Sequence, residues 1–382
     1  MKVSKNNSRF SPVEILIFLI IILVIGSATY YLLHKKQNTI STNSFTHAYN
    51  SAQFSVNGNK LLNSKGQPYI PLGVTVFGIS RVGWQNNIAG DIDQINTSAS
   101  FWHANIVRIQ VAPYYLDSNA QGYLTAVEKE VNSAEKVGLN VIISAQYENT
   151  KAFEPTAAPV DSTSQFWKLL APVFASDSRV WFDLFNEPTA NRPYSVWKNG
   201  GTGSDGKSYV GMQTLVNSVR SVAPNNVIVA ESISYDQHFT DIGNYLLDGS
   251  NIIYAVHPYL HSPTLQTLSW WQDNWRKSWG NFASQHPLLI GEWGEYEGPK
   301  WECQTNAPVI IPGFLAYISS LHLGLIGWAL TPGDMIRGTS LTTPNAFDPG
   351  VAFDCKKSNT GPTSQGAGSD ILKYFTNKGI YQ

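Results

Sequence analysis

The sequence predicts an α/β fold, a (β/α)8 barrel of eight parallel strands, and three observations predict it. Eight apolar runs of strand length begin roughly every 36 residues between positions 72 and 330. Most of these runs are apolar throughout rather than alternating, as strands buried on both faces are. Segments with helical spacing of apolar residues lie between them, and no fixed-length repeat points to a solenoid or propeller. An N-terminal β-hairpin and one transmembrane helix are expected ahead of the barrel.

Residues 13–33 are almost entirely apolar, enough to span a bilayer as one helix. Lys2, Lys5 and Arg9 precede them, and Lys35 and Lys36 follow. The larger basic cluster puts residues 1–12 in the cytoplasm and the rest outside. The span exceeds the apolar core of a signal peptide, yet Gly26, Ser27 and Ala28 offer small residues for cleavage, so a secreted form is the alternative. Residues 34–51, rich in Ser, Thr and Asn, read as a linker. The barrel domain is then 52–382, and it is expected to act as a monomer.

Composition agrees with export. The chain of 382 residues carries 26 Lys plus Arg against 27 Asp plus Glu. Beyond residue 36 the balance is 21 basic to 26 acidic, which offers no basic surface for nucleic acid. Apolar residues at 43% and charged residues at 14% exclude disorder for the bulk of the chain. The 12 Trp serve either a large core or flat ligand platforms.

Within the domain, Asn57-Gly58 signals a two-residue hairpin. The eight strand runs are 72–77, 105–111, 139–145, 180–185, 227–230, 252–256, 288–291 and 324–330. Residues 124–137 form a helix ended by Gly138, and 212–222 form another before Pro224. Trp271, Trp275 and Trp279 make one helical stripe, read as core packing. In such a barrel the chemistry sits where strands end. The strand ends carry Arg108, Gln146, Asn186-Glu187-Pro188, Glu231, His257 with Tyr259, Glu292 and Trp328.

Leu184 to Pro188 followed by Ile290 to Gly294 resembles glycoside hydrolase family 5 of clan A, the cellulase family. The resemblance covers residues 54 to about 335. It implies Glu187, ending strand 4, as the acid/base and Glu292, ending strand 7, as the nucleophile. Arg108, Asn186, His257, Tyr259 and Trp328 match supporting and substrate-binding positions in the same order. Strand 3 departs from the pattern: Gln146 stands where the family has a His, and it cannot change charge near neutral pH.

The chemistry agrees with those roles. Retaining hydrolysis needs two carboxyl groups about 5–5.5 Å apart, one protonated to release the leaving oxygen and one ionised to attack the anomeric carbon. Crowding separates their pKa values. No metal or cofactor is required. Glu231 also ends a strand but lies on strand 5 rather than opposite strand 7. Glu148, Glu295 and Glu297 are read as rim or surface groups. Trp84, Trp197, Tyr235 and Trp301 are candidate platforms. Cys303 follows strand 7 and Cys355 follows strand 8, which places both on one barrel face, and a disulfide is expected.

The expected activity is retaining hydrolysis of a β-linked polysaccharide, first an endo-β-1,4-glucanase. The alternatives are a β-mannanase or exo-β-1,3-glucanase, or a catalytically silent carbohydrate-binding surface protein.

Overall fold

The computed structural model describes residues 54–146, 156–262, 264–298, 303–356 and 364–381. All of them lie in one compact unit, His47–Gln382. The expected span at 13–33 and the linker lie outside the described residues, as do Glu148 and Trp301. Among the described residues no helix is long and apolar enough to cross a membrane.

The hairpin comes first, with β1 (Ser55–Asn57) pairing antiparallel to β2 (Lys60–Leu62). Asn57 pairs with Lys60, so the turn is Gly58-Asn59, one residue later than the Asn57-Gly58 reading. Gly58 takes φ 59°, which a side chain resists and glycine accepts.

Barrel strands follow as β3 (Leu72–Val76), β4 (Ile106–Val111), β5 (Asn140–Ala145) and β6 (Val180–Asp183). A small antiparallel hairpin, β7 (Gly200–Thr202) with β8 (Ser208–Val210), interrupts the series. The barrel resumes with β9 (Ile228–Glu231), β10 (Ile252–Val256), β11 (Leu288–Trp293) and β12 (Gly324–Gly327). Each pairs in parallel with its neighbour, and β12 closes on β3 through Leu325 opposite Leu72. Gly73 permits the close approach of β3 to β4, since a Cβ there would sit 2.2 Å from the Ile106 carbonyl oxygen.

All eight runs are barrel strands, with ends within a few residues of the sequence reading. The expected helices are Ala120–Lys136 and Met212–Arg220. The Trp271, Trp275 and Trp279 stripe is buried, and Trp275 meets Phe314 edge-on at 5.2 Å. Four readings change. Trp84 packs edge-on against Tyr123 at 5.1 Å, and Trp197 is fully buried with its indole N–H on the Glu231 carbonyl, so neither is a platform. Glu295 and Glu297 are buried, not at the surface. Glu297 accepts from the backbone N–H groups of Asp354 and Gln365 and ties that loop down.

The lower barrel is apolar and the upper barrel charged, and strand periodicity arranges this. Inward positions alternate by two. Ile106, Ile142, Trp181, Val229 and Ile253 lie in one buried cluster, capped by Phe54 5.1 Å from Trp181. Two residues further along the same strands come Arg108, Ser144, Asp183, Glu231 and, past Ala255, His257.

Candidate active site

Arg108 organises the site. It projects from the middle of β4 and is 1% exposed. Its Nη1 donates to Glu292 Oε2 at 2.8 Å. Its Nη2 donates to Asn186 Oδ1 at 2.6 Å, Ser144 Oγ at 2.9 Å and Glu231 Oε1 at 2.9 Å. Its Nε donates to Asp183 Oδ2 at 3.1 Å. Burial alone would favour losing the proton, but the carboxylates of Asp183, Glu231 and Glu292 outweigh it and push the guanidinium pKa up. A planar fork of five donors suits this task, which a lysine ammonium could not perform.

Glu187 follows β6 in a left-handed conformation, φ 48°. Its backbone N–H donates to Glu231 Oε2, which holds the turn. The side chain is 15% exposed, and Oε1 lies 2.8 Å from His257 Nδ1. Asn186 is buried, and its backbone N–H bonds to the Ala145 carbonyl.

Glu292 sits within β11 and is largely buried. Burial pushes its carboxyl pKa upward. Arg108 opposes this, as does the Tyr259 hydroxyl, which donates to Oε1 at 3.1 Å. Both partners bond the ionised form. Gly294 keeps the next turn tight, since a Cβ there would sit 2.3 Å from the Trp328 carbonyl oxygen.

His257 is fully buried just past β10. Burial lowers its pKa to about 4, against the pull of Glu292, so the ring is neutral near pH 7. Trp328 follows β12, is half-buried and stacks on Phe77 at 5.0 Å with 17° between rings. Gln146 follows β5, is buried, and its backbone N–H bonds to the Val111 carbonyl. Tyr235, half exposed, lies beside Glu187, with its backbone N–H on the Pro188 carbonyl.

The structure therefore gathers Arg108, Asn186, Glu187, His257, Tyr259 and Glu292 into one bonded cluster, with Gln146 and Trp328 at neighbouring strand ends. Sequence reasoning missed Ser144, Asp183 and Asp236, and it treated Glu231 only as a competitor for the acid pair. Glu231 is fully buried beneath Glu187, too enclosed to meet a substrate. The available signal was parity: Ser144 and Asp183 lie two positions beyond the inward-facing Ile142 and Trp181.

Ligand atoms of Glu187, His257 and Glu292 lie within 4.8 Å of one another, as do those of Glu231, Asp236 and His257. A divalent cation accepts such spacing. In each set, however, Arg108 already bonds one carboxylate, so its guanidinium supplies the positive charge there. Among the described residues Cys303 and Cys355 are joined, with Cα atoms 5.5 Å apart.

A parallel eight-stranded barrel with paired glutamates ending its fourth and seventh strands defines a class of glycoside-cleaving proteins. The chain belongs to the cellulase family, glycosyl hydrolase family 5, whose sequence profile matches residues 62–334. It is 24% identical over 272 residues to an endoglucanase of Clostridium saccharobutylicum, covering 69% of this chain and 53% of that one. It is 21% identical over 320 residues to endoglucanase N of Pectobacterium atrosepticum, covering 81% and 64%. The chain thus spans between about half and two thirds of these relatives' lengths. The fold is that of a beta-glucanase from Saccharophagus degradans, with TM-score 0.66 and 17% identity over 87% of this chain and 95% of that one. It is also that of a beta-mannanase from Streptomyces thermolilacinus, with TM-score 0.56 and 16% identity over 77% and 92%.

Proposed function

We propose that the chain is a retaining β-glycosidase of β-linked glucan, first an endo-β-1,4-glucanase, working by double displacement. The observation that carries this reading is the spacing of Glu187 and Glu292, with a carboxylate oxygen of each inside the same 4.8 Å set. That spacing suits direct attack by one carboxylate, whereas inverting enzymes keep about 6.5–9.5 Å between the pair to admit water.

Glu292 is the nucleophile, held ionised and aimed by Arg108 and Tyr259. Glu187, the more exposed of the two, protonates the leaving oxygen and then takes a proton from the attacking water. Asn186 meets the sugar 2-hydroxyl, and Trp328 on Phe77 forms the floor under the reacting sugar. The endoglucanase names of the relatives support glucan as substrate. A β-mannanase is the second reading, favoured by the mannanase that shares the fold. The half-buried disulfide pair and the apolar stretch at 13–33 support a domain held outside the cytoplasm.

Reducing-sugar release from carboxymethyl cellulose, β-mannan and laminarin separates the substrates. Glu187→Ala should cripple substrates with poor leaving groups, spare glycosyl-enzyme formation from activated aryl glycosides, and yield the β-glycosyl azide when azide is added. Glu292→Ala should abolish the covalent intermediate. Inverted product from the wild-type chain, followed by NMR, overturns double displacement.

A further inference from the structure

Five carboxyl groups crowd the upper barrel: Asp183, Glu187, Glu231, Asp236 and Glu292. Hydrogen-bond donors divide them. Asp183, Glu231 and Glu292 each accept from Arg108. Glu231 also accepts the Glu187 backbone N–H, and Glu292 the Tyr259 hydroxyl. Asp236 makes no bond to Arg108. It is fully buried, its Oδ1 accepts the Ser232 backbone N–H, and its Oδ2 has no hydrogen-bond partner among the described residues. A buried carboxylate in that position is strongly disfavoured unless it keeps a proton.

The unpartnered oxygen lies 3.7 Å from His257 Nε2, an atom that is also unpartnered. On the far side of the ring, Nδ1 lies 2.8 Å from Glu187 Oε1. The backbone holds this line in place. Ser234, Tyr235 and Asp236 are all left-handed, with φ of 60°, 60° and 53°. Three such residues in a row persist only when their surroundings dictate them. Here the Tyr235 N–H bonds the Pro188 carbonyl at 3.2 Å and the His257 N–H bonds the Asp236 carbonyl at 2.6 Å. The turn is thereby pinned between Glu187 and His257.

We propose that Asp236 holds a proton on Oδ2 and, through His257, sets the protonation state of Glu187. The proposal rests on the reading of Glu187 as acid/base. In one state Asp236 is protonated and, once the 3.7 Å gap closes to hydrogen-bond length, donates to Nε2, while Nδ1 carries the ring hydrogen and donates to ionised Glu187. The Asp236 proton then passes to Nε2 as the Nδ1 proton passes to Glu187 Oε1. This leaves Asp236 ionised, the imidazole neutral in its other tautomer, and Glu187 protonated. Charge is conserved, because the ring gains one proton and loses one.

Other groups face this line. Glu231 lies 3.5 Å from Nε2 and Glu292 3.9 Å from Nδ1. Asp183, Arg108 and Tyr194 act on it through the field. Burial pushes the Asp236 carboxyl well up, which favours the state with the proton on Asp236, and pushes the His257 ring down, which keeps the ring neutral in both states. Asp236 is a positioning residue, since it reaches the substrate only through His257 and Glu187.

Asp236→Asn is the test. Asparagine tolerates the left-handed backbone and can keep the Ser232 bond, but its amide donates permanently to Nε2. That fixes the hydrogen on Nδ1 and favours ionised Glu187. With phenyl β-cellobioside, the basic limb of kcat/KM should move down by about one pH unit. With 2,4-dinitrophenyl β-cellobioside, whose leaving group needs no proton, it should stay. An unmoved limb with the phenyl substrate, or equal shifts with both, overturns the proposal. Nitrogen-15 NMR of the wild-type chain reads His257 directly, whether or not the variant folds. A neutral ring through the active pH range is expected, and an imidazolium there overturns the proposal. If Glu187→Gln cleaves the phenyl substrate at the wild-type rate, the acid/base reading fails separately, while the NMR still reports the charge and tautomer of His257.

Discussion

Removing the Cys303–Cys355 bridge should cost stability without costing chemistry. The two cysteines are 52 residues apart in sequence, and the closed loop contains β12 and Trp328. Chain entropy for a loop of that length is about 14 cal/mol/K, or about 4 kcal/mol at 25 °C, and close to a thousandfold in the folding equilibrium. Both side chains are only half-buried, so Cys303→Ala with Cys355→Ala opens little cavity to add to this. The native loop keeps other ties. Glu297 holds the backbone at Asp354 and Gln365, and β12 stays paired on both edges, to β11 and β3. Trp328 should therefore stay in place and kcat/KM should hold within about twofold, because nothing that touches the carboxyl cluster has moved. Guanidinium denaturation of the oxidised wild type, the reduced wild type and the double variant is the assay. The last two should coincide and lie about 4 kcal/mol below the first. A difference under about 1 kcal/mol would show that the unfolded chain is already constrained there and would refute the entropic account. A collapse of kcat/KM at full folding would refute the claim that these ties hold Trp328 in place without the bridge.

Arg108→Lys should lower kcat by at least about a hundredfold and destabilise by about 3–5 kcal/mol, because one ammonium cannot reach Glu292, Asp183 and Glu231 together. Near-wild-type denaturation and turnover would remove Arg108 from the centre of the site. Gln146→Ala should weaken kcat/KM by about 1–3 kcal/mol if Gln146 bonds a sugar hydroxyl. A lower Tm with unchanged activity per folded molecule ends that idea. Asp91 and Glu130 form a buried carboxyl pair behind the loop that follows β3. Burial raises Asp91 to about 6, and burial followed by the Asp91 charge raises Glu130 well above its ordinary range. Both bind protons more tightly folded than unfolded, so stability falls as pH rises above about 4, by at most about 1.4 kcal/mol per pH unit for each group. Glu130→Gln removes one such group and should gain on the wild type between about pH 5 and 8 in denaturant melts. Parallel pH curves would refute the raised proton affinity of Glu130.

The barrel was legible because its strands are buried on both faces. Runs such as Ile252–Val256 need no partner information to be recognised, and strands of four to six residues leave little room for misplacement. The hairpin β7–β8 was not legible. Its strands are three residues each, below the length at which alternation carries a signal, and the conformations of Gly200 and Gly201 decide it. Trp84 and Trp197 were misread for a related reason. An aromatic in a strand-to-helix loop reads the same whether it lines a groove or folds back under the loop. Only the acceptor it finds, such as the Glu231 carbonyl for Trp197, separates the two.

The site divides along the same line. Glu187 and Glu292 stand out because a carboxyl at the end of an apolar strand demands an explanation. Asp183 and Glu231 each end a strand without a motif around them. Asp236 lies in a loop whose three left-handed residues no sequence rule would propose. What joins them is charge. A guanidinium placed inside the barrel must be neutralised there, and each carboxylate that neutralises it raises the proton affinity of the next. Arg108 at strand 2 therefore already implied buried acids on its neighbours, and parity named where: two positions past the inward apolar residues of β6 and β9. Asp236 is the acid left over once Arg108 has satisfied Asp183, Glu231 and Glu292. It is also the one whose free oxygen faces a histidine already committed to Glu187.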